Sequence, residues 1–304
     1  MPGAKTSPKG RPDSKVELQR TARSFDAREF EYGHADFERV RSLIYERAGI
    51  ALNENKAEMV YSRLVKRLRA LTLSSFAAYL TLLHDADHPE WEYFVNALTT
   101  NQTDFFREAH HFPILATHAL SVTRRPLQIW SAASATGEEP YSMAMTLCEA
   151  FGTLTPPAHI VATDLDTGVL AKAREGIYSA ERITGVAAER VKRFFLKGKG
   201  AREGTVRVCS EVRALVEFQR LNLRTDDWRL DGPFDAIFCR NVLIYFDKPT
   251  QYQVLKRLAA RLTPAGLLFA GHSESLLHAA DLFQPCGKTV YRLAHDQPTT
   301  AHHG

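Results

Sequence analysis

Seven consecutive small residues, Ser131 to Gly137 in IWSAASATGEEPYSMAM, join an apolar run to a helical one. Small side chains let a backbone approach a ligand closely, and a helix start offers unpaired N–H groups to polar ligand atoms. A nucleotide or nucleoside suits such a turn; an ordinary strand-to-helix connection would look the same. The GxGxxG spacing of pyrophosphate binders is missing. Further on, VATDLD places Asp164 where doubly wound folds set an acid against ribose hydroxyls, and Asp166 where it would cap the helix of TGVLAKAREG. FDAIFCRNVLIYF runs from apolar residues into Arg240, Asn241 and Tyr245, at the edge where open α/β sheets bind ligands, although Tyr245 taken alone reads better as packing. Upstream, LTTNQTDFFREAHHFP groups Asn101, Thr103 and Arg107 beside Phe105, Phe106 and Phe112, as a pocket lid or as a capped helix start. His110 and His111 are read as a pair with no third ligand nearby to argue for metal, so no metal is expected.

The elements that must position these residues show in the periodicity. Short β-rich runs at Leu127 to Trp130, Ile160 to Thr163, Val216 to Gln219, Ala236 to Cys239 and Leu267 to Ala270 alternate mostly with helical segments, which predicts a parallel sheet with helices on both faces. The long gap between the second and third runs, with Gly198, Gly200 and Gly204 as turns, predicts an inserted subdomain over about 176–215, in which TVRVCSEVRALVEF alternates as antiparallel strands would. Before the sheet, Phe37, Val40, Leu43 and Ile44 recur at helical spacing up to a stop at Gly49. A second helix over Lys56 to Leu71 puts Met59, Val60, Leu64 and Leu68 on one face and Arg63, Lys66, Arg67 and Arg69 elsewhere, and a third spans Ser75 to His84.

A chain of 304 residues has room for a catalytic α/β domain, a smaller module and a tail. The expected division is a basic tail over 1–30, a helical domain over 31–98 and a catalytic domain over 99–304. The tail, rich in Lys, Arg, Pro, Ser and Gly, cannot bury enough apolar surface to offset ordering. With 44% hydrophobic and 24% charged residues and a formal charge of +4, composition describes a soluble globular protein and identifies no partner. No apolar run is long enough to span a bilayer, and the first residues lack the apolar core of a secretory signal. The four cysteines are scattered with no CxxC pair, which suits a reducing cytoplasm.

Taken in order, TTNQTDFFRE, WSAASATGEEPYSMAM, ATDLD, FDAIFCRNVLIYFDK and LLFAGHSESL closely resemble the chemotaxis receptor methyltransferases, the CheR family, over about Asp36 to Ala294. The resemblance implies a class I S-adenosylmethionine-dependent methyltransferase: a Rossmann-like, mostly parallel sheet, an all-helical N-terminal domain and a small inserted antiparallel β subdomain. It implies S-adenosylmethionine as cofactor, leaving S-adenosylhomocysteine. Asn101, Thr103, Arg107, Glu139, Asp164, Asn222, Leu223, Arg240 and Asn241 would surround the cofactor, with Glu139 toward its charged methionine portion and Tyr245 near the transferred methyl. Arg63, Lys66, Arg67 and Arg69 would meet the receptor, and the inserted subdomain would in some members dock a peptide from the receptor's carboxyl terminus.

The reaction so implied is cytoplasmic esterification of receptor glutamates by a monomer, with Arg107 and Tyr245 as positioning groups and Phe105, Phe106 and Tyr245 excluding water. Two other readings compete. The basic tail and helix suggest a nucleic-acid methyltransferase, but RNVLIY lacks the two prolines that follow Asn or Asp in base-amino methyltransferases. A scaffold that binds S-adenosylmethionine without transferring its methyl is the other.

Overall fold

Alternate residues of the central strands belong to different cores, and this places the sheet inside the molecule. Ile129, Ile160, Phe238 and Phe269 pack into one cluster, while their neighbours Trp130, Val161, Ile237 and Leu268 pack into another on the opposite face. A sheet covered on both faces needs apolar residues at every position, which is why these strands read as continuous apolar runs. A computed structural model describes residues 28–294. Of the expected tail, residues 1–27 lie outside the described part.

In chain order the elements begin with helices α1 (His34–Ala48), α2 (Ala57–Ala70), α3 (Phe76–Leu82), α4 (Glu90–Leu98) and α5 (His111–Ser121). Strand β1 (Leu127–Ser131), α6 (Glu138–Ala150), β2 (Ala158–Asp164) and α7 (Thr167–Glu175) follow. The insert contains β3 (Ile177–Ser179), α8 (Ala188–Phe194), β4 (Phe195–Lys197), β5 (Thr205–Val208) and α9 (Ser210–Ala214). The chain then forms β6 (Val216–Arg220), β7 (Phe234–Cys239), α10 (Lys248–Ala259), β8 (Leu262–Ala270), β9 (Phe283–Gly287) and β10 (Val290–Leu293).

Seven strands make one sheet in the order β6-β2-β1-β7-β8-β10-β9, parallel from β6 to β8, with β10 and β9 antiparallel at the far edge. Strand β1 has β2 on one side and β7 on the other, so successive crossovers leave it in opposite directions and a crevice opens at its carboxyl end. The β9 and β10 hairpin had no counterpart among the expected strands. The insert is a separate three-stranded antiparallel sheet, β3-β5-β4.

One expectation fails inside the insert. In TVRVCSEVRALVEF only Thr205–Val208 is an antiparallel strand and Ser210–Ala214 is helix α9, while Val216–Arg220 is the main-sheet parallel strand expected over Val216 to Gln219. The reason lies in the spacing. Val208, Val212 and Leu215 are buried at intervals of four and three, a helical rhythm that the alternating Val206 and Val208 just before them obscures.

Helices α1 to α4 enclose a core of their own, with Val40, Ile44, Leu64, Leu68, Phe76, Leu80 and Phe94 essentially inaccessible. Gly49 closes α1 at φ 73°, the left-handed conformation in which a helix stops most easily on glycine. On α2 the basic residues do different things. Arg67 makes a two-pronged pair with the buried Glu90, at 2.8 Å through both Nε and NH2, and Tyr79 donates to the same carboxylate at 3.0 Å. Arg63 donates to the carbonyl oxygens of Thr99 (2.7 Å) and Ala97 (3.3 Å), Arg69 pairs with Glu29, and Lys66 is exposed. Replacing Arg67 by Met strips a buried carboxylate of its cation, and we expect a loss of about 3 kcal/mol in a denaturant melt; Lys66→Met should cost less than about 0.5 kcal/mol.

Candidate active site

Four loops converge at the carboxyl ends of β1, β2, β6 and β7, and the strap before α5 lies across them. The nine residues expected around a cofactor, and Tyr245, all line one cavity there. The helical module contributes walls that sequence reasoning did not foresee: Ala48 and Ile50, from the end of α1 and the turn after it, and Leu98 at the end of α4. Ala51 N–H donates to the Tyr245 carbonyl (2.8 Å) and Tyr45 to Asp247 (2.6 Å), so the module is tied to the loop that carries Tyr245.

The wall beneath the β1 turn is Ala132, Ala133 and Ala135, whose size leaves room for a flat ligand. Gly137 starts α6 at φ 96°, and an added Cβ would lie 3.0 Å from both the Ala173 Cβ and the Tyr178 hydroxyl, so glycine is required by both conformation and space. Asp164 ends β2 with its carboxylate fixed by the N–H groups of Ala135 (2.8 Å) and Asp166 (2.9 Å). Burial pushes this carboxyl up to about 6, against the lowering effect of those two donors. Asp166 caps α7 through Gly168 and Val169 N–H, and its other oxygen accepts from Asn101 (2.7 Å) and Thr99 (3.0 Å). Asn101 therefore holds the strap to the second strand. Asn222 ties the β6 loop to the helical module by donating to the Arg47 carbonyl (3.0 Å).

Charge is concentrated behind this cavity. The Arg240 side chain is 2% exposed and reaches Glu139 at 2.9 Å, the Arg107 carbonyl at 2.6 Å and Glu108 at 3.5 Å. Glu139 also accepts from Ser131 (2.7 Å); burial pushes its carboxyl up from the ordinary value, and the Arg240 guanidinium opposes that. Burial acts on Glu108 in the same sense, yet His272 and Arg240 together hold it down, to about 2.

Two acids had no role assigned from sequence. Glu274 accepts four main-chain hydrogen bonds: Oε1 from Val242 (2.9 Å) and Leu243 (2.8 Å), Oε2 from Asn241 (2.9 Å) and Gly271 (2.6 Å). It thereby fixes the segment that leads to Tyr245, including Asn241 at the strained φ of 57°. Glu108, itself at φ 55°, accepts from the His272 N–H (3.2 Å), meets its Nδ1 at 3.0 Å and lies 3.5 Å from the Asn241 amide. The motif LLFAGHSESL contains Glu274, but nothing in its spacing says that four amides converge on it.

Phe105 and Phe106 do not line the cavity. Phe105 packs edge-on against Tyr178 and Phe195 of the insert, and Phe106 against Phe112 under the Arg190 guanidinium, so they anchor the strap. The expectation that His110 and His111 lack a third ligand nearby also fails. Glu108, two residues before His110 in the chain, sits beside them.

The family described as CheR methyltransferase, SAM binding domain, matches residues 101–292, and the CheR methyltransferase all-alpha domain matches 35–99. The chain belongs to the CheR methyltransferases. Chemotaxis protein methyltransferase 2 of Pseudomonas aeruginosa is 55% identical over 269 residues, which is 88% of this chain and 96% of that one. The chemotaxis protein methyltransferase of Escherichia coli is 51% identical over 263 residues, 86% and 92% of the two chains. Among solved structures, the glycopeptide N-methyltransferase MtfA complexed with S-adenosylmethionine is 15% identical, covers 57% of this chain and 58% of that one, and has a TM-score of 0.33.

As a CheR methyltransferase the chain is an S-adenosylmethionine-dependent enzyme, and the cavity has the features that cofactor needs. A small-residue cradle of Ala132, Ala133 and Ala135 and an acid at the end of β2 are features of a polar nucleoside site.

Proposed function

We propose that the chain transfers the methyl group of S-adenosylmethionine to glutamate carboxylates of bacterial chemotaxis receptors, as a cytoplasmic, monomeric protein-glutamate O-methyltransferase. Family membership supports the chemistry. The observation that carries the assignment of roles is the cavity at the β1 and β7 crevice, with Arg107 and Tyr245 on the same wall system as Asp164 and Asn222. In this reading Asp164 accepts the ribose hydroxyls, Asn222 and Leu223 border the base, and Asn101, Thr103, Glu139, Arg240 and Asn241 complete the cofactor's surroundings. When bound, the cofactor supplies an electrophilic sulfonium methyl.

A glutamate side chain with an ordinary pKa of ~4.3 is already ionised near neutral pH, so the enzyme has no proton to remove from its nucleophile. Its residues need only align and desolvate. Arg107 presents a cation where an incoming carboxylate must be steered, and Tyr245 supplies a ring and a hydroxyl beside it. The substrate is brought in by the exposed face of the helical module. There Lys66 and Arg69 reach solvent, while Arg63 and Arg67, proposed for the same contact, are also bonded within the module. The insert's outer strands β3 and β4 offer edges to a docking peptide.

The test is incubation of the full chain with labelled S-adenosylmethionine and receptor-containing membranes, followed by alkali. Volatile labelled methanol is expected; label that survives base would overturn the ester assignment. Arg107→Ala should lower turnover by about 10²-fold or more and Tyr245→Phe by about tenfold, since misplacing reacting groups by ~1 Å is that costly. Full methylation rates in both variants would contradict these roles.

The same reading predicts a pH dependence. If Asp164 must be ionised to accept the ribose hydroxyls, cofactor affinity should weaken as pH falls through about 6, the value to which burial raises it. Stability of the free protein runs the other way. A carboxyl raised from its ordinary 3.8 takes up a proton in the folded state first, so the cofactor-free chain gains stability as pH falls from about 6 toward 4. Calorimetric titrations across that range check the first part and melts check the second; Asp164→Asn should flatten both.

A further inference from the structure

Beside the cofactor cavity, two buried polar atoms face each other with nothing between them. His111 is 0% exposed; its Nε2 meets the Thr289 hydroxyl at 2.9 Å, but its Nδ1 has no hydrogen-bond partner among the described residues. Glu108 Oε2, also buried and without a hydrogen bond, lies 3.9 Å from that nitrogen. A buried polar atom left without a hydrogen bond costs ~1–3 kcal/mol, and the Arg240 guanidinium, 3.5 Å from the Glu108 oxygen, offsets that only for the carboxylate. In the tautomer whose Nε2–H donates to Thr289, His111 turns a lone pair toward this oxygen, an arrangement a shared cation relieves.

A third donor is in place. The His110 ring lies 4.2 Å from the His111 ring, centroid to centroid, and ligand atoms of Glu108, His110 and His111 all fall within 4.8 Å of one another. We propose that Glu108, His110 and His111 form a binding site for a divalent transition-metal ion at the start of α5, beside the cofactor cavity. Two imidazoles and one carboxylate suit zinc, cobalt, nickel or copper rather than magnesium or calcium, which take oxygen ligands. Bonds of ~2.1 Å to a tetrahedral ion separate ligand atoms by about 3.4 Å, so the 3.9 Å pair needs only a small inward movement. His110 is exposed and provides the entry path.

Two features limit the affinity. The site sits at a helix N-terminus, whose dipole disfavours a cation, and the Arg240 guanidinium is 3.5 Å from the same Glu108 oxygen. The ion is therefore exchangeable rather than structural. Its effect reaches the cofactor cavity, because Glu108 also holds His272 and faces Arg240 and Asn241. Drawing its charge toward a metal loosens that wall, and by reciprocity cofactor and metal should each weaken the other's binding.

The full chain, stripped with chelator, is titrated with cobalt(II), and binding is followed by calorimetry and by the visible absorption of the ion. One equivalent, removable by chelator, is expected. Loss of mere outer-shell partners costs ~10–100-fold in metal affinity, so His110→Ala, an exposed change that spares the fold, should weaken that equivalent by at least about tenfold, and Glu108→Gln should do likewise. Every other histidine remains in both variants. Binding unchanged in His110→Ala, or no cobalt bound by the wild-type chain, would overturn the site, and neither result bears on the methyltransferase assignment.

Discussion

Glu274→Ala should abolish most of the activity and destabilise the protein by about 4 kcal/mol, although by our reading this side chain touches neither substrate nor cofactor. Its carboxylate is 6% exposed and terminates four main-chain N–H groups from two segments, Asn241 to Leu243 and Gly271. Water cannot readily replace it, and each orphaned buried donor costs ~1–3 kcal/mol. The functional loss comes from geometry. Asn241 is held at φ 57° only because its neighbours are fixed, and once released it would relax to an ordinary conformation and move Tyr245 with it. A shift of ~1 Å in such a loop is worth on the order of 10² in rate. Glu274→Gln keeps the shape but turns an NH2 group toward two of the donors, so it should fall between wild type and Ala. Gly271→Ala attacks the same arrangement from the other side, since its Cβ would stand 2.9 Å from both the Asn241 nitrogen and the Glu274 carboxylate and would overlap the Asn241 amide. Denaturant melts alongside cofactor titrations and initial rates measure all three. Glu274→Ala with wild-type turnover would show that the loop holds its shape without the acid.

That a residue of this weight drew no role from sequence follows from what sequence patterns encode. The strands were legible because a sheet covered on both faces demands unbroken apolar runs, and Phe234–Cys239 is buried at every position. Asp164 and Asp166 were legible because a strand end and a helix start are local events, and Asp166 does cap α7. Arg240 and Asn241 stood out as polar residues ending an apolar strand. Glu274 and Glu108 act largely through partners far along the chain, the first on Gly271 but also on three amides 31 to 33 residues away and the second on Asn241 and His272. No period or motif spacing records such contacts. The same holds for Arg63 and Arg67: helical periodicity places them off the apolar face, but only the packed module shows that Glu90 and the carbonyls after α4 are waiting for them. In the insert the failure was different. Ser210–Ala214 is so short that its helical spacing, Val208, Val212 and Leu215, is hidden by the alternation of Val206 and Val208 just before it.

Arg240→Met should cost about 3–5 kcal/mol near neutral pH, and the cost should shrink as the pH is lowered. The wild-type guanidinium neutralises Glu139 at 2.9 Å, lies 3.5 Å from Glu108 and caps the Arg107 carbonyl at 2.6 Å. Removing one member of a buried ionic group strands the others, which is where losses of ~3–5 kcal/mol arise. Met fills most of the volume, so the effect reports charge rather than a cavity. The sign of the pH dependence follows from Glu139. Burial already raises its carboxyl above the ordinary value, and without Arg240 it rises further. The folded variant then binds a proton that the unfolded chain does not, and stability climbs as pH falls through that raised value. Melts of wild type and variant at about pH 5 and about pH 8 should therefore converge toward the acid end. Arg240→Lys keeps one charge but cannot reach Glu139 and the Arg107 carbonyl together, so it should recover stability more than cofactor affinity. A difference between wild type and Arg240→Met that stays constant across this range would mean that Glu139 remains ionised by some other partner, and the electrostatic account of the cavity's rear wall would have to be abandoned.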